Sequence, residues 1–422
     1  WRHIANLSEN CAKCGACMPV CPIYRATGKE AHSARGKLHL LARIDASKGS
    51  AAYADILSKC LLCGACRDIC PRQIDIPSLI VQARGLIPKT SDRDYFKKYL
   101  ARKSLSHPAL LSTLAHVAKT FNEQVLHRLP PESGLRLKLS FLDREKKLPS
   151  LSPSHQSPEG ENSFQRHAAA LEKGNHPSYF SGCLASHLYH EIAASTAVLC
   201  KKLTGFLPAT PKSQTCCGLA SYAAGSVNDA RTLAKKNITA FEDGSGPILT
   251  SCASCFSHLR SYPSLFTDDS LWRERALAFG ERVCEYSTYF LEQISRRENR
   301  IILPPDFGDK DTVLYHDPCH LRFHERITRA PRQLLDTLLH RSLTELPNGP
   351  QCCGQGGLFH LAHTDLSHVV QHRLLDDLET VSPSTVLSTC SGCLLQLQQG
   401  LAARKSRIRV DHLGVFLAKF IK

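Results

Sequence analysis

No stretch of this chain reaches 18 consecutive apolar residues, and no positively charged segment leads into an apolar one. A membrane-spanning helix and a secretory leader are therefore not expected, and the reading is of a cytoplasmic protein, at most peripheral on the inner face of the membrane. No strand–GxGxxG–helix element occurs, because GQGG after Cys353 belongs to a cysteine loop, and no phosphate-binding Walker motif is present. The chain thus has no visible flavin or nicotinamide site and cannot by itself take a hydride from an alcohol carbon. The formal charge is +15, yet the basic residues are dispersed, with no recognition module and no aromatic-interleaved basic patch, so nucleic acid is not an expected partner. A metal reading of the cysteines also starts ahead of a disulfide reading. Twenty cysteines in 422 residues fall well short of such scaffolds, and a chain of 42% hydrophobic content, long enough for two or three domains, needs no staples.

What is present is cysteine in pattern. Two runs, CAKCGACMPVCP with Cys11, Cys14, Cys17 and Cys21, and CLLCGACRDICP with Cys60, Cys63, Cys66 and Cys70, each read C-x2-C-x2-C-x3-C-P. Between them lies an Ala-, Leu-, Lys- and Arg-rich stretch with apolar residues at helical spacing, which predicts helices rather than strands. From Lys97 to Lys147 eleven Lys or Arg stand against four Asp or Glu, and the Ser- and Pro-rich LSPSHQSPEGENS that follows reads as a linker. Beyond it two cysteines stand side by side, twice: Cys216 and Cys217 before Gly218, then Cys352 and Cys353 before Gly354. Adjacent Cα atoms lie about 3.8 Å apart, too close for the roughly 4.4–6.8 Å of a relaxed disulfide. The pairs belong to a longer repeat. Cys183, Cys216, Cys217, Cys252 and Cys255 are matched by Cys319, Cys352, Cys353, Cys390 and Cys393, offset by 136 residues at the first three positions and 138 at the last two, which implies a duplicated unit.

In both copies a short apolar or β-branched run leads into a cysteine and then into a helical pattern: PSYFSGC and TVLYHDPC, PILTSCASC and TVLSTCSGC. Each unit therefore reads as α/β, with cysteines at strand carboxyl ends and near helix N-termini, where amide N–H groups and the helix dipole favour thiolate. The fold class expected is α+β multidomain: residues 1–100 an α-helical ferredoxin-type domain, 101–175 a basic helical segment and Ser/Pro linker, 176–300 a first CCG unit, 301–422 a second.

Three thiolates at intervals of three reach three corners of one cubane [4Fe–4S] cluster, and the fourth of the run ligates the other cluster. Cys11, Cys14, Cys17 and Cys70 are thus expected to hold one cubane, and Cys60, Cys63, Cys66 and Cys21 the second. Zinc does not account for crossed runs. Each CCG unit offers five thiolates, one more than a cubane or a tetrahedral zinc uses, so a distorted cluster with a bridging thiolate is one reading and zinc or an empty site the others. Gly218 and Gly354 would let the backbone turn close to the metal. Clusters held by thiolates also bring negative charge that offsets the +15. Cys200 and Cys284 fall outside every motif and read as buried small hydrophobes. His187, His316, His320, His324, His360 and His363 are candidate proton relays beside a cluster, with packing as the plainer reading. No residue is singled out as catalytic.

Two ferredoxin-type runs followed by two copies of C-x32-CCG-x(33–35)-C-x2-C resemble the CCG-domain family: iron–sulfur subunits of glycolate and lactate oxidases and of anaerobic glycerol-3-phosphate dehydrogenase, and a heterodisulfide reductase subunit. SARGKLHLLARI and YHDPCH look most like the glycolate and lactate branch. The resemblance covers nearly all of the chain except residues 100–170. It implies a non-cubane [4Fe–4S] cluster on the five cysteines of each unit, with zinc in one unit left open. It further implies a partner chain, an FAD-binding dehydrogenase of a 2-hydroxy acid such as lactate or glycolate, and a quinone or soluble carrier as acceptor. Alternatives are a chain that itself cleaves a disulfide at a CCG cluster, the iron–sulfur subunit of a glycerol-3-phosphate dehydrogenase, and a zinc-stabilised interaction protein.

Overall fold

A computed structural model describes residues 1–87, 176–296, 311–340 and 343–421. The basic helical segment and Ser/Pro linker expected at 101–175 lie outside the described residues. Ahead of them the chain is helical: α1 (Arg2–Glu9), α2 (Pro22–Thr27), α3 (Ala34–Arg43), α4 (Ala51–Ser58), α5 (Ala65–Asp68) and α6 (Ile76–Leu86). Local chemistry sets where they begin. Ser33, Ser50 and Asp75 accept hydrogen bonds from the first-turn amides of α3, α4 and α6. Cys21 is the extended residue before α2, and Pro22 takes the first helical position, where its missing N–H costs nothing. Leu38, Leu41, Leu57 and Ile80 are fully buried between the helices, each contributing about 1.5–3 kcal/mol.

The repeat becomes two three-stranded parallel sheets, one of β1 (Ser178–Phe180), β2 (Ile248–Thr250) and β3 (Val283–Glu285), the other of β4 (Val313–Tyr315), β5 (Thr385–Ser388) and β6 (Arg409–His412). The central strands β2 and β5 are buried throughout, as parallel strands covered on both faces are. Each runs directly into a helix, Ala253–Arg260 or Ser391–Ala403, through an extended cysteine, Cys252 or Cys390, at the N-cap. Every strand thus delivers its carboxyl end to the same rim of its sheet.

The two units share one interior. Phe180 and Ile248 of the first pack in the same buried cluster as Leu314 and Val386 of the second. Polar bonds tie the rims together: the Ala253 amide donates to the Thr389 carbonyl at 2.7 Å, and His412 Nε2 donates to the Ser251 carbonyl at 2.8 Å. Nδ1 of the same ring accepts from Gly414 N–H at 2.9 Å, which fixes the tautomer. The helical domain docks on both units. Arg84 is half-buried and donates to Leu57, Ser58 and Cys60 carbonyls on its own side and to the Ala223 carbonyl, at 2.6 Å, across the junction. Among the described residues no helix is long and apolar enough to cross a membrane.

Candidate metal centres

In the helical domain, Cys11, Cys14, Cys17 and Cys70 line one cavity together with Gly15, Arg35 and Leu38, so the last cysteine of the second run does meet the first three of the first. Cys21 and Cys60 feel one another's charge, and Cys66 feels both together with Cys17. Burial pushes the Cys17, Cys21, Cys63 and Cys66 thiols up, and neighbouring sulfurs push Cys63 and Cys66 further. Cys63 faces outward from this domain: after burial, its largest influences are Cys352 and Cys319 of the second CCG unit. The loop that carries it is held there by His324, whose Nε2 donates to the Leu62 carbonyl at 3.2 Å.

Each CCG unit brings its five sulfurs into a continuous series of neighbours. In the first, Cys183 adjoins Cys216, Cys216 adjoins Cys217, Cys217 adjoins Cys255, and Cys255 adjoins Cys252. In the second the order is Cys319, Cys352, Cys353, Cys393, Cys390, with Cys353 and Cys393 sulfurs 3.3 Å apart. Adjacent cysteines are thus the middle of the series, which is what side-by-side placement achieves. The sulfurs that receive hydrogen bonds are driven toward thiolate. Cys183 holds Cys216 well below the ordinary thiol range, Cys352 brings Cys353 down to about 6, and Cys252 holds Cys390 well below the ordinary range. Bonding to a neighbour pushes Cys183, Cys217, Cys255, Cys319 and Cys393 the other way. A donor set of five closely spaced sulfurs, most of them buried, fits a soft, multi-iron group better than a single hard cation.

Cys252 and Cys390, which influence one another's protonation, bring the two sets of sulfurs together. Nothing in the spacing of either unit announces this juxtaposition, because it arises from the docking of the central-strand ends. Ser254 strengthens the junction, its Oγ lying 3.3 Å from Cys390 Sγ and 3.3 Å from His320 Nδ1. Both glycines take left-handed backbone, Gly218 at φ 91° and Gly354 at φ 85°. At Gly354 a Cβ would stand 2.6 Å from the Ser367 carbonyl, so the close approach there is to a neighbouring helix.

Two other groups escape sequence pattern. Lys37 is 2% exposed, donates to the His32 carbonyl, and lies beside Cys60 and Cys21. Its one signal is position, three residues after Ala34 and four before Leu41 on the apolar face of α3. Arg84, next to Cys60, is a second cation, half-buried. The histidines scatter. His320 and His324 stack at 5.1 Å between the Cys63 loop and Cys319, and His363 Nε2 meets Ser58 Oγ at 2.8 Å. His360 bonds to Ser367, and His187 is half-buried in its helix. Cys200 is fully buried, and Cys284, expected to be buried too, is partly buried in the edge strand β3 and packs against the same core cluster.

Comparison with known proteins agrees with this arrangement. A family of 4Fe-4S dicluster domains matches residues 7–74, and a family of cysteine-rich domains, termed CCG, matches residues 178–260 and 313–398. The chain is 27% identical over 421 residues to a probable glycolate oxidase iron-sulfur subunit of Bacillus subtilis, covering 97% of this chain and 93% of that protein. It is 30% identical over 242 residues to lactate utilization protein A of Geobacillus kaustophilus, covering 57% of this chain and 97% of the relative. The corresponding protein of a second Geobacillus strain is 29% identical over 242 residues, with 57% and 98% covered.

Proposed function

Because the chain belongs to the family of iron–sulfur subunits that join a 4Fe-4S dicluster domain to two cysteine-rich CCG domains, we propose that it carries electrons for a complex that oxidises a 2-hydroxy acid. Its relatives include a probable glycolate oxidase iron-sulfur subunit and lactate utilization proteins, which supports lactate or glycolate as the acid. Substrate chemistry would occur on an FAD-dependent dehydrogenase partner, and a quinone or soluble carrier would take the electrons away.

The observation that carries this reading is the order of the four cysteine groups. The group of Cys11, Cys14, Cys17 and Cys70 adjoins that of Cys21, Cys60, Cys63 and Cys66; Cys63 adjoins Cys319 and Cys352; and Cys390 adjoins Cys252. Each of the first two groups would hold one cubane [4Fe–4S] cluster, and each five-cysteine set a further [4Fe–4S] cluster of distorted geometry. Iron–sulfur clusters supply one-electron storage and transfer, which matches a chain without a hydride-accepting site. The protein's own part is to hold the groups in line, keep water from the inner three, and expose the outermost. Cys14 is the exposed member of the twenty cysteines, so the outer end offers a partner a short approach.

Metal analysis of anaerobically purified protein tests the reading. It expects about sixteen irons with matching acid-labile sulfide per chain, four for each of four clusters, and reduction of all four by the flavin partner with its hydroxy acid. About eight irons with one or two zincs would make the CCG units structural and overturn it.

A further inference from the structure

The second CCG unit has a donor that its five cysteines do not count. A ring nitrogen of His316 and the sulfurs of Cys353 and Cys393 lie within 4.8 Å of one another, and all three residues are buried. The backbone that carries the histidine is held firmly. Its backbone N–H donates to the Leu387 carbonyl at 2.8 Å, and its own carbonyl accepts from Ser388 Oγ at 3.2 Å. Asp317, next in the chain, is gripped by both terminal nitrogens of Arg332 at 2.8 and 2.7 Å. Such support fixes the point from which the buried imidazole reaches the sulfurs.

The internal repeat provides a control. Tyr179 and Tyr315 occupy equivalent places, their hydroxyls bonded to Ser251 and Thr389 at 2.7 and 2.8 Å, so the residue after each is equivalent too. In the first unit that residue is Phe180, fully buried. A Cβ built on Gly182 would lie 3.6 Å from the Phe180 ring and 3.2 Å from Cys255 Sγ, which puts the phenyl ring at the same flank of its sulfur set. At this flank one unit therefore offers carbon and the other nitrogen.

We propose that His316 is a sixth donor in the second CCG unit, its imidazole binding the metal ion shared by Cys353 and Cys393, so that the two units hold centres of different ligand chemistry. This rests on the reading that each unit holds a metal–sulfur centre. The nitrogen lone pair adds a bond without adding charge. A donor added to an unchanged set of thiolates alters the electron density at the metal, so the potential of the second unit should differ from that of the first.

The test uses the full chain grown with 15N-labelled histidine and purified anaerobically, with iron and zinc measured on the same sample. Pulsed EPR is recorded on the second unit's signal, identified in a Cys216→Ala, Cys217→Ala background. We expect a strong nitrogen coupling that changes with the isotope and is lost in His316→Phe, along with a shift in that centre's midpoint potential and no loss of iron. Phe180 already fills the equivalent place, so His316→Phe should fold. With iron retained, a nitrogen coupling that is absent, too weak for a direct bond, or preserved in His316→Phe overturns the proposal while leaving the electron-transfer reading intact. Zinc in place of iron in the second unit would instead sink the cluster reading there. Zinc-edge absorption would then decide, a mixed nitrogen–sulfur shell that becomes sulfur-only in His316→Phe supporting the sixth donor and a sulfur-only shell in the parent chain overturning it.

Discussion

Lys37 is a cation in the wrong place for an ordinary helix. It lies fully buried on the apolar face of α3, with one carbonyl hydrogen bond and the Cys60, Cys21 and Cys66 sulfurs around it. Burial lowers its pKa and the sulfurs raise it, so its charge is stabilised by whatever negative charge those sulfurs carry. Adding an electron beside it becomes easier. Lys37→Met removes that attraction and should lower the potential of the cluster held by Cys60 and its partners by an amount of order 1 kcal/mol, roughly 40 mV for one electron. EPR-monitored redox titration reads the change, and a potential that stays or rises would mean that solvent already screens the lysine. The cysteines carry a second prediction. Burial holds the Cys63 and Cys66 thiols well above their usual range, and bonding to neighbours does so for Cys255, Cys319 and Cys393. A raised pKa keeps these thiols protonated at neutral pH when no metal is bound, so metal uptake must expel protons. Reconstitution in weak buffer at pH 7 should acidify the solution, and retention of iron should weaken steadily as pH falls.

Gly218 and Gly354 separate two costs at the scale of the element. Both hold left-handed backbone, where an L side chain costs about 1–2 kcal/mol. A Cβ at Gly218 meets nothing nearer than 3.5 Å, but at Gly354 it would press to 2.6 Å against the Ser367 carbonyl in helix Thr364–Val381. Gly218→Ala should therefore lose only the backbone term in thermal unfolding, and Gly354→Ala clearly more, with loss of iron from the second unit alone. Equal losses would show that the helix yields. The repeat that places these glycines was legible because five cysteines at offsets of 136 and 138 leave little freedom in alignment, and strand, cysteine and helix followed from β-branched runs ending at Cys252 and Cys390. Differences between the copies were not legible. Cys183 lies inside an α-helix, Gly182–His187, whereas Cys319 precedes a π-helix, His320–Glu325. Lys37 escaped for a related reason, and His316 was singled out only as one of six candidate proton relays: what distinguishes them comes from what other elements bring alongside, and neither spacing nor residue type within one stretch records that.

At the scale of the whole molecule, docking decides which group meets which. Exposed pairs such as Arg326 with Asp68, 3.5 Å apart, contribute little. The interface relies instead on half-buried Arg84, on Gly85 and Gly225, where a Cβ on Gly85 would stand 2.9 Å from the Gly225 carbonyl, and on His324 over the Cys63 loop. That last contact sets Cys63 toward Cys319 and Cys352, and the shared rim sets Cys390 toward Cys252. The second CCG unit in sequence is thus the first in space when approached through the Cys63 loop. Electrons delivered by a flavin partner to the helical domain should reach the first unit by way of the second. Rapid freeze-quench EPR can follow this in two variants, each lacking one adjacent pair. With Cys352→Ala and Cys353→Ala, the helical-domain signals should appear at their normal rate while the first unit stays oxidised on the turnover timescale. With Cys216→Ala and Cys217→Ala, the second unit should still be reduced. Normal reduction of the first unit in the former variant would mean that electrons cross directly from the helical domain, past the Arg84 and Gly225 contact, and that the Cys252–Cys390 junction serves packing alone.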